Sequence, residues 1–134
     1  MAGMTQPRLC PTLVVDGAEA AIAYYTRALG AKEVNRFADD DGTIVHAEVA
    51  IGDAIVMLKD PGQGDEAPGQ VGGTPVILSL EVDDVDAVAE RMVAAGGTVV
   101  YPVADQPYGK RAGRVRDPYG HLWILSQPLD DLRR

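Results

Sequence analysis

His46 and Glu48 stand two residues apart in a stretch, Ile44 to Ile51, that alternates from one side chain to the next. On a β-strand that spacing puts both side chains on one face, so an imidazole that titrates near neutral pH and a carboxylate reach the same space. Such a pair can move a proton to and from a substrate, with Glu48 setting the charge state of the ring. It can equally line a ligand, or form a polar wall held by its own hydrogen bond; the sequence leaves these three readings open. A second concentration of chemistry lies further on. Lys110, Arg111, Arg114 and Arg116 place four of the chain's 12 basic residues within one short stretch, preceded by Gln106 and Tyr108. Guanidinium groups offer planar donor forks to a carboxylate or phosphate. The same cluster suits an exposed strand paired with acidic residues, and alternation alone does not fix which way Arg114 and Arg116 point.

Whole-chain properties narrow the partners. A formal charge of −8 argues against nucleic acid or an anionic membrane surface, which are bound through clustered positive charge. No run reaches the ~18 to 20 apolar residues of a membrane span. The single cysteine, Cys10, excludes an intrachain disulfide, and the start, residues 1–8, has no apolar run of the signal-peptide kind. A cytoplasmic protein that binds a small molecule or its own copy is the expectation.

The elements that would position these residues are legible along the chain. Arg8 to Val15 reads as a strand, and Asp16, with Glu19 three residues on, reads as the capping box of a helix over residues 17–29 that Gly30 ends. Ala18, Ala21, Ile22, Tyr25 and Leu29 form its apolar face. Asp83 reads as the cap of a second helix over 84–95, with Val85, Val88, Met92 and Ala95 facing inward and Gly96-Gly97 as the stop. Met92 and the Tyr24-Tyr25 pair read as core. Gly52-Asp53 is a hairpin turn into the strand Ala54 to Lys59. Asp117-Pro118-Tyr119-Gly120 is a type I turn into the strand His121 to Gln127. His121 falls on the opposite parity from Ile124 and reads as structural; Trp123 reads as packed under a helix.

These elements repeat at an offset of 67 residues, half the chain. Ala20 meets Ala87, Ala28 meets Ala95, Gly30 meets Gly97, and Pro61 meets Pro128. Each half reads strand, helix, strand, strand, strand. Residues 60–74 join the halves with five glycines and two prolines, and read either as a linker or as a lid.

Two such βαβββ units, with Val-x-Asp or Val-Asp before each helix, Ala28-Leu29-Gly30-Ala31 at the first helix end and Asp117-Pro118-Tyr119-Gly120-His121 before the last strand, resemble the vicinal oxygen chelate superfamily. This is the glyoxalase, bleomycin resistance protein and extradiol dioxygenase group. Residues 46–49, 53–58 and 109–125 resemble its PhnB-like branch more narrowly. The resemblance covers residues 8 to 128. It implies an α+β fold of two tandem βαβββ modules that form a curved mixed sheet around a cup, helices outside, within a homodimer. Residues 1–134 would be one such domain, with module 1 at about 8–60, a linker at 61–74 and module 2 at about 75–128.

Metal-dependent relatives hold a divalent ion with His or Glu at four positions, which carry over here to Leu9, Met57, Ile77 and Ile124. Aliphatic groups and a thioether do not hold such an ion, so no metal or other cofactor is expected; a divalent metal would need displaced ligands. Strand parity then lines the cup with Leu9, Pro11 and Leu13, with Ile44, His46 and Glu48, with Ile55, Met57 and Lys59, with Ile77, Ser79 and Glu81, and with Leu122, Ile124 and Ser126. The expected ligand contacts are Leu9, His46, Glu48, Met57, Ile77, Ser79, Tyr108, Arg111 and Ile124. Two functions follow. One is a metal-free protein that sequesters an apolar or aromatic small molecule, resembling bleomycin resistance proteins and so antibiotic resistance. The other is a glyoxalase-like lyase or isomerase with His46 and Glu48 as the catalytic pair, or with a displaced metal site.

Overall fold

The protein is described over residues 6–129, from a computed structural model. Two four-stranded mixed sheets carry the chain. In the first module β1 (Thr12–Val14), α1 (Ala18–Leu29), β2 (Lys32–Ala38), β3 (Ile44–Ile51) and β4 (Ala54–Lys59) form a sheet of order β1-β4-β3-β2. A short α2 (Pro68–Val71) follows. The second module, β5 (Ile77–Glu81), α3 (Val85–Ala94), β6 (Thr98–Asp105), β7 (Lys110–Arg116) and β8 (Leu122–Pro128), repeats the order as β5-β8-β7-β6. β1–β4 and β5–β8 are parallel and the other pairings antiparallel. No helix is long and apolar enough to cross a membrane among the described residues.

The duplication extends to individual hydrogen bonds. α1 begins at Ala18 and α3 at Val85, 67 positions apart. Val15 N–H donates to the Lys59 carbonyl at 2.9 Å, and its counterpart Val82 N–H donates to the Ser126 carbonyl at 2.8 Å. A side chain at the end of each module's last strand caps that module's helix. Asp60 Oδ1 accepts from the backbone of Gly17 (3.2 Å) and Ala18 (2.7 Å), and Gln127 Oε1 accepts from Val85 N–H at 2.8 Å. Asp60 Oδ2 also takes Ile44 N–H at 2.8 Å.

The capping box expected of Asp16 and Glu19 is therefore corrected. Gly17 is the N-cap, at φ 106°, a conformation that costs glycine nothing, and the cap oxygen comes from 43 residues away. In α3 the cap is Asp84 rather than Asp83, its Oδ1 accepting from Ala87 N–H at 3.1 Å. Replacing Asp60 by alanine strands three backbone donors at the start of α1 and β3. It should lower the unfolding free energy by about 2 kcal/mol, read as a reduced urea midpoint at unchanged slope.

The helix-side faces of both sheets meet in one apolar cluster. Leu13, Val15, Ala47, Val49, Val56 and Leu58 contribute from the first module, and Val85, Met92, Val115, Trp123 and Leu125 from the second. α1 packs on α3, where Tyr24 Oη donates to the Met92 carbonyl at 2.9 Å. Tyr24, Tyr25, Tyr119 and Trp123 stack in edge and tilted pairs with centroids 5.4–6.3 Å apart. Trp123 thus packs inward as expected.

At the centre of that aromatic group lies Asp117, 3% exposed. Its carboxylate accepts four bonds: Tyr25 Oη and Trp123 Nε1 on Oδ2, and Tyr119 N–H and His121 N–H on Oδ1. Burial first, and the Asp117 charge second, push the phenols of Tyr24, Tyr25 and Tyr119 above their ordinary pKa. His121 is structural, its Nε2 lying 2.8 Å from the Val14 carbonyl of the other module.

One further expectation changes. The first strand is shorter than Arg8–Val15 and its parity is reversed: Leu13 pairs with Leu58 and is buried toward α1, so Thr12 and Val14 share the open face with Met57 and Lys59. The joining segment is packed: Pro68 of α2 sits on the turn at Gly120, where an added Cβ would approach the Pro68 Cβ to 2.8 Å. Neither α2 nor its flanking glycines line the pocket described next.

Candidate functional site: two open sheet faces

Each sheet has one face covered by helix and one open. On the first, alternation along β3 sends Ala47, Val49 and Ile51 inward and leaves His46 and Glu48 on the open side, as expected. His46 Nε2 lies 2.9 Å from Glu48 Oε2. Glu48 stands opposite Met57 on β4 and Asn35 on β2, and His46 opposite Phe37, whose ring is 6.1 Å away. A bulge at Val34 sets this register by shifting Asn35 onto Glu48.

On the second sheet the open face is built from β7 and β8. Arg114 pairs with Ile124, which pairs with Ser79 on β5, so all three share a side, and Val115 opposite Trp123 is buried on the other. Arg114 and Arg116 therefore face outward. Copying the β3–β4 register by 67 residues would set Val115 opposite Ile124. The observed pairing is shifted by one because β7 and β8 are joined through Asp117–His121 and β3 and β4 through Gly52-Asp53 alone.

β6 adds an aromatic wall through two irregularities. One lies between Val99 and Tyr101, and another between Tyr101 and Ala104, where Pro102 and Val103 bulge over Gly113. An added Cβ on Gly113 would come within 2.9 Å of the Val103 backbone nitrogen, so only glycine admits this bulge. The first bulge turns Tyr101 from the side of Val99 to that of Arg114, whose guanidinium carbon lies 5.2 Å from the Tyr101 ring centroid. Tyr101, Gln106, Tyr108, Ala112, Gly113, Arg114 and Ile124 line an open pocket of about 220 Å³.

The expected ligand contacts thus divide. His46, Glu48 and Met57 gather on the first open face; Ile77, Ser79 and Ile124 lie on the second, with Tyr108 at the pocket rim. Two stand elsewhere. Leu9 precedes β1 and is 99% exposed, because pairing with β4 starts only at Thr12, and with Ile55 and Ser79 it lines a separate cavity of about 390 Å³. Arg111 points away from the pocket, its parity being opposite to that of Arg114. Its guanidinium forks onto Asp86 in the first turn of α3 (2.9 and 3.0 Å) and reaches Asp105 at 3.1 Å. Asn35, Phe37 and Tyr101 were not singled out in the sequence; Pro102 within a strand was the available sign of the bulge that places Tyr101.

Among the described residues, two buried side-chain polar atoms lack a hydrogen-bond partner: Asn35 Oδ1 and Arg114 Nε. Each lies on one of the two open faces.

A divalent ion does not fit these donors. At the family's ligand positions stand an exposed leucine, a thioether and two isoleucines, while His46 is already bonded to Glu48. No three His, Cys, Asp or Glu residues are grouped to hold a metal among the described residues.

The family model of the glyoxalase/bleomycin resistance protein/dioxygenase superfamily matches residues 8–125. The chain belongs to this superfamily. An uncharacterized protein of Mycobacterium bovis is 43% identical over 98% of this chain and 90% of its own length. The crystal structure of TioX from Micromonospora sp. ML1 superposes with a TM-score of 0.71 at 31% identity, covering 90% of this chain and 95% of that one. A PhnB protein from Bacillus cereus shares the glyoxalase-like fold at 22% identity and a TM-score of 0.66, over 90% of this chain and 99% of its own.

Proposed function

We propose that this superfamily member is a metal-free binding protein that holds a small organic molecule against its open sheet faces. The observation that carries the reading is the placement of Asn35 Oδ1 and Arg114 Nε. A buried polar atom without a partner costs about 1–3 kcal/mol, and proteins leave few of them. Here both occur on the uncovered faces, Asn35 opposite Glu48 and Arg114 in a pocket with aromatic and apolar walls, which is the composition of a small-molecule site. Sequestration of an apolar or aromatic guest, in the manner of bleomycin resistance proteins, needs these walls and no Lewis acid. The motifs at 46–49, 53–58 and 109–125 favour the PhnB-like branch, and the site of action is the cytoplasm.

Phe37, Tyr101 and Tyr108 are exposed on or beside these faces, and both sheets end in unpaired edges among the described residues. A second copy that covers them would form a homodimer. Light scattering at micromolar concentration should return twice the 14.2 kDa chain mass; a monomer would count against this part of the reading.

The His46–Glu48 pair keeps an enzymatic reading alive, a lyase or isomerase in which His46 carries the proton. One substitution separates the two. Aromatic amphiphiles, antibiotics and dicarbonyl adducts are screened by thermal shift, and hits are repeated with His46→Gln. For a binding protein the change costs about 1–3 kcal/mol of affinity, the worth of a buried hydrogen bond. For an enzyme it lowers turnover about 100-fold or more while affinity barely moves.

A further inference from the structure

We propose that the second open face takes an acid: a carboxylate on a flat aromatic body, anchored by Arg114. The inference rests on the reading of the open faces as the binding surface and names the class of ligand. The chain has 20 acidic residues to 12 basic ones, a net charge of −8. Arg36, Lys59, Lys110 and Arg111 all make ion pairs, whereas Arg114 makes none among the described residues. Its Nε is shielded from water and has no acceptor. A guanidinium is always charged, so this arrangement asks for an anion from outside the chain.

The surroundings are built to hold the group still. The guanidinium carbon lies over the Tyr101 ring, 5.2 Å from its centroid, a contact that leaves the donor edges for a planar two-oxygen acceptor. Gln106 Nε2 donates to the Ala104 and Ala112 carbonyls at 3.2 and 3.3 Å, which holds the side-chain amide at the pocket wall. Tyr108 stands exposed at the rim and Ile124 forms the floor. The volume limits the guest. About 220 Å³ is below the ~300 Å³ at which drug-sized sites begin, so a compact acid of one or two rings fits and a large antibiotic does not fit as a whole. Arg116 on the same strand and Lys110 near Glu81 add positive charge along the face without entering the pocket.

The test compares 2-naphthoate with neutral 2-naphthamide by isothermal titration, on the full chain and on Arg114→Gln and Arg114→Lys. The acid should bind the native protein about tenfold or more tightly than the amide, a difference of ~1.4 kcal/mol or greater. Arg114→Gln should remove that preference and leave the amide unchanged within a few-fold; Arg114→Lys, which keeps the charge but not the fork, should fall between. Equal binding of acid and amide to the native protein, or indifference of the acid to Arg114→Gln, overturns the assignment while leaving the open faces as a binding surface. Failure of both compounds at millimolar concentration overturns both. If Arg114→Gln does not fold, the acid-to-amide ratio on the native chain decides alone.

Discussion

Replacing Asp117 by alanine should lower the unfolding free energy by about 4 kcal/mol, the largest stability effect of any single polar substitution in this chain. The carboxylate is buried and receives Tyr25 Oη, Trp123 Nε1 and the backbone N–H groups of Tyr119 and His121. Truncation leaves these four donors facing one another across a small void, with no water to take them. Asp117→Asn should cost roughly half as much. Its amide oxygen keeps one pair of donors, but its NH₂ then meets the other pair, and Trp123 N–H has no lone pair to offer in return. Urea unfolding followed by the fluorescence of the single tryptophan reads both values. A loss under 1 kcal/mol for the alanine variant would show that the aromatic group is held by packing alone.

Above pH ~10 the fold should lose stability steeply. Burial and the Asp117 charge raise the Tyr24 and Tyr25 phenols above the ~10 of an unfolded tyrosine. With the folded pKa raised, the contribution is fully present below pH ~10 and is lost as pH climbs from there through the folded values. Each phenol barred from ionising costs ~1.4 kcal/mol per pH unit in that window, so the two together cost about 2.7. Tyrosinate absorbance tests this against circular dichroism in one titration. Two of the five tyrosines should ionise only as the helical signal collapses. Complete ionisation while the fold persists would contradict the buried placement of the pair.

What was legible in the sequence was whatever local pattern controls. Helix positions follow from apolar spacing and glycine stops, and α1 and α3 start 67 residues apart as the repeat requires. Strict alternation from Ile44 to Ile51 put His46 and Glu48 on one face, where they bond. The failures share a cause, which is partners far apart in sequence. Asp60 and Gln127 cap helices that began more than 40 residues earlier, and no local spacing announces such a bond. The parity of β1 is set by its pairing with β4, which starts at Thr12 and turns Leu13 inward.

Arg114 shows how a turn decides a site. A repeat offset copied from the two-residue hairpin at Gly52-Asp53 aims it at the helices, and the longer connection after Arg116 reverses it. Tyr101 shows the same for bulges: one residue out of register moves a side chain to the opposite face of the sheet. Because Arg111 and Arg114 fall on opposite faces, one is bound to Asp86 and Asp105 while the Nε of the other has no acceptor.

Backbone amide shifts of the ¹⁵N-labelled protein on titration with 2-naphthoate test most directly whether the open faces bind ligand. Shifts should concentrate at Tyr101, Gln106, Ala112, Arg114 and Ile124, with the α1 and α3 helix amides unmoved. Saturable shifts confined to the helices, or spread evenly over the surface, would contradict the account.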